Sequence, residues 1–203
     1  MANEVKKKEE SNVVAFDPSI LLEDVGAGTE GFTKEDVLMP RLSILQQMSP
    51  QTNKREGDYV EGAEAGHIFD NVAKKVYDGE KGITVVPISY KRNHIEWKPD
   101  RGGKVAEHGA SSDCLASCSR GDKGQYITAE GNEIVPTGEY YIYVIDEVGN
   151  HFPAMLSMSS SQMKKAKQWN AMISRLMIDI NGKKQNPAMF WTAYKLSTVP
   201  ESN

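Results

Sequence analysis

The chain has 203 residues, the length of one large domain or two small ones, with 39% hydrophobic and 26% charged residues. That composition is ordinary for a soluble globular protein and slightly lean in core formers. Cys114 and Cys118 are the only cysteines, which excludes a disulfide scaffold and fits a reducing cytosol. The longest apolar runs, Ile83–Ile88 and Tyr140–Ile145, have the length of strands rather than of membrane spans. No apolar stretch follows Lys6, Lys7 and Lys8, so no secretory signal is expected and the protein reads as intracellular and not membrane-bound.

Net charge is −4, yet the charge is unevenly distributed. Residues 1–65 carry thirteen acids against seven bases, whereas residues 155–195 carry seven bases and the single acid Asp179. Asymmetry of this kind points to a polyanion-binding surface, with solvated surface as the plainer reading.

Residues 1–35 read as a flexible acidic arm and residues 36–203 as the folded domain. Gly26, Gly28 and Gly31 match G-x-G-x-x-G, but a poor strand precedes them and Pro40 stops the segment that follows, so a dinucleotide site is not expected. Pro40–Met48 fits a short helix or a strand, and Ser49-Pro50 begins a turn. Gly66–Asp70 reads as a short strand leading into a polar hairpin around Asp78-Gly79. Ile83–Arg92 is a clear strand with Val86, Ile88 and Tyr90 on one face, and with an edge position or a bulge expected at Pro87. Residues 98–124, rich in Gly, Ser, Asp and Lys, read as a long excursion outside the core, functional or disordered.

Gly138–Asp146 is strongly β-prone, and Val148-Gly149-Asn150 turns it into His151–Met158 as a hairpin. Then the period changes. Ser159–Gln162 matches a capping box with Ser159 as N-cap, and Met163, Ala166, Trp169, Ile173, Leu176, Met177 and Ile180 form an apolar helical stripe ended by Asn181-Gly182. Ala188–Val199 returns to strand, with Phe190, Thr192, Tyr194 and Leu196 facing the core. The expected fold class is mainly β with one late amphipathic helix (α+β), arranged as an OB-fold-like antiparallel barrel with a long inserted loop.

Candidate chemistry follows from this layout. Lys164, Lys167, Gln168 and Arg175 lie opposite the apolar stripe, with Lys165 at its boundary. Lys183, Lys184 and Lys195 extend the basic track, as phosphate neutralisation requires. Bases would stack on outward aromatics, with Trp191, Trp97 and Tyr90 preferred and Arg92 adding charge. Of Tyr140, Tyr141 and Tyr143 at least one faces outward by alternation, and Trp169 belongs to the core. His108, Cys114 and Cys118 supply three zinc-type ligands where a structural site needs four, so two free thiols in a loop are the preferred reading. No P-loop, H-E-x-x-H or G-x-S-x-G pattern occurs, so neither an enzyme nor a cofactor is expected.

Several blocks carry a resemblance. Pro40–Gln46 through Ser49-Pro50, Gly66–Phe69, Val85–Pro87 through Glu96-Trp97, Ser157–Asn170 and Tyr194–Val199 occur in this order. Over residues 38–203 they resemble the single-stranded DNA-binding proteins of tailed bacteriophages. The resemblance implies an OB-type fold and sequence-tolerant binding of single-stranded DNA in phage replication or recombination. The expected location is the host cytoplasm, phage replication proteins are candidate further partners, and the oligomeric state is left open. The chain stops at Pro200-Glu201-Ser202-Asn203, without the acidic tail many such proteins carry, so recruitment through a C-terminal tail is not expected. The rival readings are a virion structural or assembly protein and a metal-dependent nucleic-acid enzyme.

Overall fold

The longest strands form where β-branched and aromatic residues are densest, because those side chains pack on a pleated surface. The computed structural model describes residues 28–33 and 35–200; most of the acidic arm, Gly26 of the glycine pattern and residues 201–203 lie outside the described residues. The chain divides into two units, Met1–Leu38 and Met39–Asn203. In the first, the Thr33 backbone N–H and hydroxyl both donate to Asp36 Oδ2, at 2.8 and 2.6 Å, closing a tight turn.

The second unit contains β1 (Arg41–Ile44), β2 (Ile68–Asp70), β3 (Val76–Tyr77), β4 (Ile83–Trp97), β5 (Lys104–Glu107), β6 (Ser119–Arg120) and β7 (Tyr126–Ile127). After these come β8 (Glu133–Ile145), β9 (His151–Ser159), α1 (Gln162–Arg175), β10 (Ile178–Ile180), β11 (Lys183–Gln185) and β12 (Tyr194–Leu196). The main sheet has the order β12-β4-β8-β9-β1-β2-β3, and β1 runs parallel to β9 while its other neighbours are antiparallel. Among the described residues the mainly β composition with one helix is as expected. The ladder, however, is mixed and open, with β12 and β3 at its ends, where an antiparallel closed barrel was expected.

A contact outside the ladder draws those ends together. After β12, the Thr198 N–H donates to the Gly79 carbonyl (2.8 Å) and the Thr198 hydroxyl to the Gly66 carbonyl (2.6 Å). Gly79 follows β3 and Gly66 precedes β2. A Cβ on Gly79 would collide with the Gly66 carbonyl and the Thr198 hydroxyl, so only glycine permits this approach.

The inner face of the sheet carries Ile83, Val85, Tyr140, Ile142, Val144 and Ala154, and α1 closes over it with Ala166 and Trp169. Trp169 is core, as its place on the stripe implied, and stacks on Tyr140 at 4.5 Å between ring centroids. The Tyr140 hydroxyl lies 3.0 Å from the Ala166 carbonyl oxygen and 2.8 Å from the Asn170 amide, and burial pushes its pKa above the ordinary tyrosine value.

Local departures from the sequence reading have identifiable causes. The bulge expected at Pro87 is present, because the register of β4 against β8 shifts between Pro87 and Ser89 and skips Ile88. Val85 and Pro87 face inward before it, and Tyr90 joins them after it, so Tyr90 leaves the face of Val86 to which simple alternation assigned it. The helix starts at Gln162 with no side-chain cap, because Ser159 ends β9 and Ser160 takes a left-handed φ of 52°. It ends at Arg175. Asn181 and Gly182, with φ of 54° and 77°, turn the β10–β11 hairpin instead of stopping the helix. Asp78-Gly79 lies between β3 and β4, whereas the polar hairpin turn sits at 71–75, where Asp70 Oδ1 accepts the N–H groups of Val72 and Ala73. Phe190 is exposed in a 3-10 turn, Met189–Trp191, so only Tyr194–Leu196 of the last segment is strand. Residues 98–124 contribute β5 and β6 to the sheet rather than forming a structureless loop.

The edge contact is testable. Gly79→Ala should lower stability by about 1–3 kcal/mol through steric conflict. Thr198→Val, which leaves the Gly66 carbonyl without its donor, should cost about 1 kcal/mol. Denaturant midpoints of both variants equal to that of the native chain would show that the two ends are not joined.

Candidate nucleic-acid interface

Along a strand, successive side chains alternate between faces, so a face whose inner set is fixed has its outer set fixed too. Tyr140, Ile142 and Val144 point into the core, which turns Tyr141 and Tyr143 outward; both are 39% exposed. The register places their neighbours. One row across the outer face reads Lys195, Thr84, Ile145, His151; the next Val86, Tyr143, Pro153; the next Ser89, Tyr141, Met155, Arg41. Rows are roughly 7 Å apart and strands about 4.8 Å. The two tyrosine rings therefore stand one row apart at the middle of the face, with Lys195 and Arg41, both exposed, on opposite flanks. The His151 ring packs edge-on against Tyr143 at 5.8 Å. Flat rings flanked by cations are the ingredients of a stacking platform for unpaired bases.

Below these rows the face turns acidic. Lys91 opposes Glu139 in the ladder. The buried Asn93 amide donates to Glu139 Oε2 at 3.1 Å and to Glu107 Oε2 at 3.0 Å. The Asn93 oxygen accepts the N–H groups of His94 and Gly109, at 2.9 and 3.1 Å. Lys104 Nζ pairs with Glu107 Oε1 at 2.7 Å. Glu107 is held below its usual value by Lys104 and then by Asn93. These carboxylates bound the platform at that end.

The residues singled out from sequence do not converge on one surface. Lys164, Lys165, Lys167 and Arg175 lie on α1, whose inner side packs against Tyr140; they are exposed and are not on the tyrosine face. Lys183 and Lys184 sit on the β10–β11 hairpin, and Trp191 is 61% exposed in the turn that follows. Lys195 alone of the predicted cations reaches the tyrosine face. Tyr90 does not serve as an outward ring: it packs on the Tyr140 ring at 4.8 Å and over Gly138, where a Cβ would stand 3.0 Å from it. Arg92 is half-buried with an Nε that finds no partner among the described residues, and Trp97 is half-buried at the end of β4. Tyr141, Tyr143, His151 and Arg41 were not singled out as the platform. Alternation in Glu139–Ile145 pointed to an outward tyrosine, but which one depended on the phase that Tyr140 sets.

Beneath the excursion, His108 Nε2 donates to Glu96 Oε2 at 2.8 Å, and Asn132 Nδ2 donates to Glu96 Oε1 at 2.7 Å. A carboxylate is acceptor-only, so the hydrogen of the first bond belongs to the imidazole. His108 is thus committed to a carboxylate, and Cys118 Sγ donates to the Cys114 carbonyl oxygen at 3.3 Å. Among the described residues, no group of three or more His, Cys, Asp or Glu side chains is placed to hold a metal ion. The three candidate zinc ligands are not gathered into a site.

Residues 8–203 match the family described as Pam3 phage gp34-like protein. The chain belongs to this family. It is accordingly a phage protein, the coarser part of what the sequence resemblance implied, and the family description names an origin rather than a ligand. No curated protein and no solved structure matches the chain.

The Glu96 carboxyl is held below its usual 4.5 by Asn132 first and by His108 second. A lowered folded pKa means stability that is present above the unfolded value and lost as pH falls through the folded one. Glu96→Gln should therefore destabilise the protein near neutrality, and the gap to the native chain should shrink below pH 4.5. Urea midpoints of both proteins across that range measure it; a gap of constant width would show that the ionised carboxylate contributes nothing.

Proposed function

We propose that the protein binds single-stranded DNA without strong sequence preference, on the outer face of β8 and β9, and serves phage DNA replication or recombination by doing so. The observation that carries this reading is the pair Tyr141 and Tyr143. Two large rings stand one row apart at the centre of the sheet's outer face, and each leaves 39% of its surface to solvent. Aromatic faces accept any base, and Lys195 and Arg41 are positioned to meet phosphates on either side.

The topology supports the same reading. β4, β8 and β9 form a meander, β1 adds to β9 in parallel, and the β12 end returns to the β2–β3 region through Thr198. We read this as an OB-type arrangement closed by two hydrogen bonds in place of a full ladder. In OB folds the outer face of the second and third strands takes oligonucleotides, together with the loop joining the first two strands. Here those strands are β8 and β9, and that loop is the ordered excursion, whose Arg120 guanidinium lies 3.7 Å from the Tyr126 ring centre.

Stacking on an aromatic is worth about 1–3 kcal/mol per base. Replacing Tyr141 and Tyr143 together with alanine should therefore weaken binding of an oligothymidylate by about tenfold or more. Replacing Lys195 and Arg41 should reduce the slope of log affinity against log salt by about 0.7 for each phosphate no longer neutralised. Fluorescence anisotropy at several salt concentrations reads both. Native-level binding by the double tyrosine variant would refute the placement. Absence of any binding by the native chain would favour the virion-assembly reading, and cleavage that stops on chelation would favour the enzyme.

A further inference from the structure

The basic helix is left over once the tyrosine face is assigned. The 14 residues of α1 include Lys164, Lys165, Lys167 and Arg175 and no acid. Ala166 and Trp169 turn one side of the helix into the core, so the exposed Lys164, Lys167 and Arg175 point away from the sheet. Tyr140 bonds to this helix while Tyr141 points the other way. The helix cations and the tyrosine rings therefore face different directions, with the sheet and the helix between them. Among the described residues, Lys164, Lys167, Arg175, Lys183 and Lys184 make no ion pair.

Two features make this face more than scattered charge. Asn186 Nδ2 lies 3.0, 3.2 and 2.8 Å from the carbonyl oxygens of Ile173, Ser174 and Leu176. This fastens the segment that leaves β11 to the helix C-terminus, so the hairpin carrying Lys183 and Lys184 is anchored to the helix at its open end. A shallow hollow lined by Gln168, Ala171, Met172 and Arg175 lies on the helix, and the turn after the hairpin exposes Phe190 and Trp191. Exposed cations on the helix, followed in the chain by exposed rings after the hairpin, suit an unpaired strand better than a duplex, whose bases are not free to stack.

We propose that this face is a second track for single-stranded nucleic acid, so that one chain holds two segments at once and brings them together. This rests on the assignment of the first segment to the tyrosine face. A strand spanning both surfaces must pass round the molecule, and an oligomer of about eight nucleotides, within the usual site size of one such domain, is too short to do so.

The test is the stoichiometry of a fluorescent oligothymidylate of about that length, titrated at low salt and read by sedimentation, which also counts protein copies. The native chain should take two oligomers per protein. Lys164→Ala/Lys167→Ala/Arg175→Ala should take one, and Tyr141→Ala/Tyr143→Ala should take one. Circular dichroism checks that each variant remains folded. One oligomer on both the native chain and the helix variant would overturn the second track and leave the tyrosine face standing. One on the native chain, none on the helix variant and an unaffected tyrosine variant would overturn both assignments.

Discussion

The inward anchoring of Tyr140 sets the phase of the whole central sheet. Its ring lies between Tyr90 and Trp169, and its hydroxyl meets the helix at Ala166 and Asn170. Because the side-chain period of a strand is two, a slip of one residue would exchange the faces and bury Tyr141 and Tyr143 while expelling Ile142 and Val144. No alternative phase satisfies the buried hydroxyl and the apolar core together. The same interaction that seats the helix therefore determines what the opposite face offers to solvent.

A second economy lies at the far end of β4. The excursion has little apolar material, yet it is ordered, because Asn93 uses both amide hydrogens and its oxygen to hold Glu139, Glu107 and Gly109. Leaving such a buried amide unpaired costs about 1–3 kcal/mol per group, so polar saturation adds to the small apolar set Ile95, Ile134 and Val135 buried there.

Much of the fold was legible in the sequence. The dense β-branched and aromatic runs of β4, β8 and β9, the turn at Val148-Gly149-Asn150 and the helical period through Trp169 all name their own structures. What was not legible depended on single-residue phase. The bulge after Pro87 reverses the alternation, so Tyr90 moved from the outer face to the core, and with it went one of the rings proposed to stack. The helix was overextended because Leu176, Met177 and Ile180 continue its spacing, although Asn181-Gly182 serves a hairpin as readily as a helix end. Charge was readable as an amount but not as a direction: the bases of residues 155–195 are there, and only the packing of Ala166 and Trp169 reveals that most of them face away from the tyrosines. The excursion misled because its composition advertises a loop, while its order comes from polar contacts to residues far off in the chain.

The clasp made by Thr198 has a consequence for the order in which the sheet can assemble. Its hydroxyl reaches a carbonyl 132 positions earlier, so the two margins of the sheet cannot be joined until residue 198 has been synthesised. Earlier parts of the nascent polypeptide can form the β4–β8–β9 meander, a local arrangement. Its open edges meanwhile stay available to wrong neighbours. Non-local pairing of this kind is paid for in loop entropy before it is rewarded and tends to be slow.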